Sequence, residues 1–115
     1  MKTMRITEHN ASCLLVEGRM DATSISIFDT EIKDILAHPE DLVLDLEKVD
    51  YISSAGLRSI LTLAKNLNSA GKSLVITTLT STVYEVFKIA GFLDILKVFA
   101  SRAEGITALQ DPERQ

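Results

Sequence analysis

Two adjacent serines, Ser53 and Ser54, stand directly before the strongest apolar stripe in the chain: Leu57, Ile60, Leu61, Ala64 and Leu67. The stripe has helical spacing, so the serines mark a helix N-terminus. A hydroxyl there has two uses. Its oxygen can accept from a first-turn N–H, because those donors lack intrahelical partners. That end of a helix also favours negative charge by about 0.3–1 kcal/mol. A phosphoryl group on such a serine can therefore be held by backbone N–H groups without unfolding the domain. Ser54 is open to both readings, as a plain N-cap or as a capped phosphate acceptor, while Ser53 reads as a loop or cap residue. Gly56 lacks a Cβ, so backbone and a partner can approach closely. Arg58 reads either as a solvated side chain or as a contact to a partner's acidic group, and its charge lies toward the unfavourable helix end.

Other chemistries find less material. Positions 52–56 read Ile-Ser-Ser-Ala-Gly rather than the Gly-x-Ser-x-Gly of a nucleophile elbow. No Gly-rich loop followed by Lys-Ser/Thr points to nucleotide hydrolysis. His9 and His38 are far apart in sequence and read as surface residues. Asp45, Glu47 and Asp50 lie close together but read as a solvated acidic loop rather than a divalent-metal site. Cys13 is the only cysteine and reads as a small buried hydrophobe. The expectation is a binding protein rather than an enzyme, with no catalytic residue, metal or cofactor.

At 115 residues the chain is expected to form one domain over 1–115, with 111–115 as a frayed tail. It is 46% hydrophobic, which excludes disorder over most of its length. A net charge of −4 and a pI near 5.1 argue against nucleic acid as a partner. No apolar run approaches the ~20 residues that span a bilayer, so no membrane insertion is expected. Met1 to Arg5 does not read as a signal peptide, and a lone cysteine suits a reducing cytoplasm.

The elements that position the serines follow from periodicity. Met4–His9 and Cys13–Glu17 read as a hairpin around Asn10-Ala11-Ser12, with Gly18 ending the second strand. Asp21 or Thr23 caps a helix carrying Ile25, Phe28, Ile32, Ile35 and Leu36, which Pro39 stops. Leu42–Leu46 is a short apolar run, a strand covered on both faces. The helix after Ser54 runs from Ala55 to Ala70, with Gly71 beyond it. Ser73–Thr77 is a strand. Ser81 or Thr82 caps a helix with Val83, Val86, Phe87 and Ala90, and Gly91 ends it. Ile95–Phe99 is the last strand, and Ser101 with Glu104 forms a capping box for a final helix. Ile27 and Leu63 fall off their stripes and are candidates for exposed contact surface. The order β-β-α-β-α-β-α-β-α implies an α/β fold: a mixed, mostly parallel sheet of about five strands with about four helices.

The segment from Leu44 to Arg58, Leu-Asp-Leu-Glu-Lys-Val-Asp-Tyr-Ile-Ser-Ser-Ala-Gly-Leu-Arg, resembles the signature of the STAS domain family, whose stand-alone members are bacterial anti-sigma factor antagonists. Gly18-Arg-Met-Asp21 resembles the family's Gly-x-(Leu/Ile/Met)-Asp. The resemblance places the family's phosphoacceptor on Ser54, since Ser54-Ala55-Gly56-Leu57 matches Ser-x-Gly-Leu. It puts Asp21, Ser53, Ala55, Gly56, Leu57 and Arg58 on the switch surface. Ser53 stands where the family commonly has Asp, which makes it a second candidate acceptor, and Arg58 stands where the best-known members have Gly. A monomer is the default expectation for the chain. The resemblance implies a protein that, unphosphorylated, binds an anti-sigma factor serine kinase of the GHKL type and frees the sigma factor. Phosphorylation of Ser54 would block binding, and a PP2C-type phosphatase would reset it. It also implies an alternative, a STAS subunit of a membrane transport ATPase complex.

Overall fold

The chain first reverses at His9-Asn10, where both residues adopt positive φ, 49° and 66°. Two consecutive left-handed residues give the tight turn whose twist matches its flanking strands. In the computed structural model, which describes residues 1–111, this turn joins β1 (Lys2–Glu8) to an antiparallel β2 (Ala11–Met20). The reversal therefore precedes the expected Asn10–Ser12 turn. Ala11 and Ser12 already belong to β2, opposite Glu8 and Thr7. Nor does Gly18 end the strand. It takes φ 111°, and the register against the next strand slips between Leu15 and Glu17 and between Gly18 and Arg19. These irregularities let β2 bend and continue to Met20.

The remaining elements are α1 (Ile25–Ala37), β3 (Leu42–Ile52), α2 (Ser54–Ser69), β4 (Leu74–Thr77), α3 (Ser81–Ile89), a 3-10 turn (Phe92–Asp94), β5 (Lys97–Phe99) and α4 (Arg102–Gln110). The five strands lie in sequence order, and β2 to β5 are all parallel. This is the expected mixed α/β sheet with four helices. β3 runs on well past Leu46 to Ile52, so Glu47 and Asp50 are exposed strand residues rather than a loop. Asp111 is exposed, and residues 112–115 of the expected frayed tail lie outside the described residues.

Strand alternation divides the core into two layers. Leu14, Leu42, Leu44, Leu46, Leu74 and Ile76 meet α1, α2 and α3 on one face of the sheet. Cys13, Val43 and Val75 meet α4 on the other. Leu63, a candidate for exposed surface, is fully buried in the first layer, whereas Ile27 is exposed. The stripe on α2 is wide enough to include position 63, because its helix is covered by both α1 and the sheet.

Caps differ from expectation in two places. Thr80, not Ser81 or Thr82, caps α3: its hydroxyl accepts from Val83 N–H at 3.3 Å and donates to the Val49 carbonyl at 3.1 Å. Ser24 is the N-cap residue of α1. Ser101 caps α4 as expected, accepting from Glu104 N–H at 3.2 Å. Gly71 at φ 76° follows α2, where Lys72 N–H reaches back to the Leu67 carbonyl at 2.8 Å.

Asp45 points to the α4 side and is only 2% exposed. Arg102, on the first turn of α4, donates to it at 2.9 Å and to Glu8 at 3.2 Å. This hydrogen bond from the guanidinium to Asp45, ahead of the opposing effect of burial, raises the Arg102 pKa above its ordinary value. Cys13 lies among these groups, and burial raises its thiol pKa against the lowering effect of Arg102. Removing one partner of such a pair leaves an uncompensated buried charge, at about 3 kcal/mol or more. Arg102→Leu should therefore lower the urea unfolding free energy by about that amount. The double variant Asp45→Leu/Arg102→Leu should recover most of the loss in the same measurement.

Candidate functional site

Ser53 leaves β3 in an extended conformation (φ −93°, ψ 175°), and α2 begins at Ser54. The cap is therefore Ser53, not Ser54. Its hydroxyl accepts from Gly56 N–H at 3.3 Å, and its carbonyl accepts from Leu57 N–H at 2.9 Å. Its own N–H donates to the Met20 carbonyl at 2.9 Å, which ties the start of α2 to the end of β2. Ser54 occupies the first helical position and is exposed. Among the described residues its hydroxyl has no hydrogen-bond partner. The two hydroxyls are thus distinguished: one is engaged in holding the helix, and the other is free at its mouth.

Gly56 is buried, so its lack of a side chain serves the chain's own packing rather than a partner's approach. A Cβ there would lie 2.8 Å from Ile52 Cγ1, 2.9 Å from the Met20 carbonyl oxygen and 3.1 Å from Met20 Cβ. The carbonyl cannot yield easily, because it already accepts from Ser53. Ala55 and Leu57 are half-buried, and Arg58 is exposed.

Asp21 follows Met20 directly and is brought to the same end of the sheet. Its Oδ1 accepts from the Thr23 hydroxyl at 2.7 Å and from the N–H groups of Thr23 and Ser24, each at 3.1 Å. Asp21 thus closes the turn before α1 without being the N-cap residue. The Thr23 hydroxyl is the largest influence, and together these bonds hold Asp21 at a pKa of about 2. Arg19, which the motif reading passed over, approaches Asp21 at 3.4 Å and lies over the Tyr51 ring at 4.1 Å from its centre. Arg19 and Tyr51 are register partners on β2 and β3, so the strand pairing beside the bulge puts them together. A second link, Ser59 hydroxyl to Asp29 at 2.7 Å, fixes α2 against α1.

The acidic residues considered for a cation are dispersed by the fold: Asp45 is engaged by Arg102, while Glu47 and Asp50 are exposed on β3. His9, in the β1–β2 turn, and His38, after α1, are both exposed.

The model for the STAS domain matches residues 2–105, and the chain belongs to that family. A protein of Bordetella bronchiseptica, BtrV, provisionally named an anti-sigma factor antagonist, is 48% identical over 69 residues. That match spans 60% of this chain and 60% of the relative, so less than two thirds of the relative's length is covered. A Thermotoga maritima protein, provisionally described as an anti-sigma factor antagonist, shares the fold with a TM-score of 0.88 at 17% identity, covering 95% of each chain. The phosphorylated form of the Bacillus cell-fate determinant SpoIIAA shares it with a TM-score of 0.69 at 14% identity, over 92% of this chain and 97% of that one.

Two outcomes follow from this geometry. Gly56→Ala gains about 1 kcal/mol of helix propensity but incurs an overpacking cost of about 1–3 kcal/mol against an immobile carbonyl. Urea denaturation should show a net loss. Asp21→Ala should lower the melting temperature by its full amount above about pH 4, where an unfolded Asp is ionised. Because the folded pKa is the lower one, the difference from the parent should shrink as pH falls toward about 2. A melting series from pH 7 to pH 2 checks this sign.

Proposed function

We propose that this chain is a phosphorylation-controlled, protein-binding switch of the anti-sigma factor antagonist type, working in the cytoplasm as one STAS unit over residues 1–115. In this reading the unphosphorylated protein binds an anti-sigma factor serine kinase of the GHKL type and releases the sigma factor. The kinase transfers the γ-phosphoryl group of ATP to Ser54, and a PP2C-type phosphatase removes it. The protein is a substrate in these reactions and catalyses neither.

The observation that carries the reading is the exposed, unpartnered hydroxyl of Ser54 beside a cap already supplied by Ser53. A phosphoryl group can be added at Ser54 without displacing any bond that holds α2 in place. It adds about −1.5 to −2 charge to a chain at −4, and Asp21, which hydrogen bonds keep anionic, directly follows the Met20 whose carbonyl holds Ser53 N–H. Mismatching a charge at a buried interface costs about 2–5 kcal/mol. At about 1.4 kcal/mol per tenfold, that is roughly 30-fold to several-thousand-fold in affinity. Such a change is sufficient to switch docking on and off. The kinship with BtrV, and the shared fold of a Bacillus protein solved in a phosphorylated form, support the same reading.

Phosphosite mapping with the cognate kinase and ATP separates the two serines. Ser54→Ala should abolish incorporation. Ser53→Ala should remain a substrate while losing about 1 kcal/mol of stability with its cap. Incorporation that survives Ser54→Ala and disappears in Ser53→Ala would overturn the assignment.

A further inference from the structure

Arg5, Arg19 and Arg102 each pair with a carboxylate. Among the described residues Arg58 is the one arginine without an ion pair. It is exposed on α2, four residues after Ser54, and the first turn of that helix contains no acidic residue. Positions i and i+4 share one helix face, with about 5–6 Å between their Cβ atoms. Side chains on a helix lean toward its N-terminus, which carries a guanidinium at 58 toward position 54. An anion at i with a cation at i+4 is also the favourable orientation of such a pair. In the unmodified protein the group at position 54 is a neutral hydroxyl, and among the described residues Arg58 forms no ion pair.

We propose that Arg58 is the internal counter-charge for a phosphoryl group on Ser54, a positioning residue that holds the modified side chain against α2. This rests on the reading of Ser54 as the acceptor. It gives the modification a second effect. Phosphorylation adds negative charge to the docking surface, and it also takes up a guanidinium that was free to meet a partner's carboxylate. A planar guanidinium binds phosphate oxygens in a bidentate manner that an ammonium does not reproduce, so Lys at position 58 is a weaker substitute.

The experiment uses full-length protein with phosphoserine placed at position 54 during synthesis, so it needs no kinase. The reporter is the phosphorus-31 NMR titration midpoint of that phosphoserine at low ionic strength, where Arg19 and Asp21 are common to every variant. Arg58→Gln should raise the midpoint by about 0.3 pH unit or more, from a pair energy of ~0.5 kcal/mol at 1.36 kcal/mol per unit. Arg58→Lys should recover part of the difference. Lys65→Gln, on the same helix but about 16 Å along its axis from position 54, should match the parent. An identical midpoint in the parent and Arg58→Gln proteins would overturn the proposal. Failure of a kinase to modify Ser54 would instead count against the acceptor assignment, and the NMR result would stand apart from it.

Discussion

The hydrogen bond from Ser53 N–H to the Met20 carbonyl joins three elements at one point: the end of β2, the end of β3 and the start of α2. Gly56 seals the joint, because only a residue without a side chain fits against Met20 and Ile52. Once Ser53 is fixed, its hydroxyl takes Gly56 N–H, the helix begins at the next residue, and Ser54 is left facing solvent with its oxygen free. The exposed hydroxyl is thus a consequence of the packing beneath it. The same joint places Asp21 nearby, since Asp21 is the next residue after the carbonyl that accepts the bond.

The division of labour between the two serines explains how the proposed modification at Ser54 can be tolerated. A phosphoryl group on the capping serine would compete with the bond that starts α2, and the charge would arrive at the cost of the helix end. On the following serine it disturbs no existing bond. The proposed regulation by surface charge suits a fold whose core lies in two layers, with α4 fastened by Arg102 to the buried Asp45 on the far face of the sheet.

Much of this was readable from the chain. Helical and strand periods carry the element order, and the Leu44–Arg58 segment singles out the candidate site. What was hidden depends on contacts between residues distant in sequence or on backbone dihedrals. Arg102 meets Asp45 across 57 positions, and no local pattern announces it. The continuation of β2 past Gly18 rests on register slips that only strand pairing reveals. Leu63 falls off the narrow stripe of Leu57, Ile60 and Leu67, yet α2 is covered by both α1 and the sheet, which buries it. The assignment of the cap to Ser53 rather than Ser54 was beyond reach, because either serine satisfies the same propensity. Arg19 over Tyr51 follows from the bulge beside it and carried no motif of its own.

In the proposed switch, charge on the Ser54 oxygen controls docking while the domain beneath it stays folded. The most direct measurement is calorimetric titration of the cognate kinase with unmodified protein and with stoichiometrically Ser54-phosphorylated protein, with amide hydrogen exchange recorded on both. The account predicts affinity at least about 30-fold weaker after phosphorylation, with unchanged protection through β3 and α2. Equal affinity of the two forms, or loss of protection throughout α2 on phosphorylation, would contradict it.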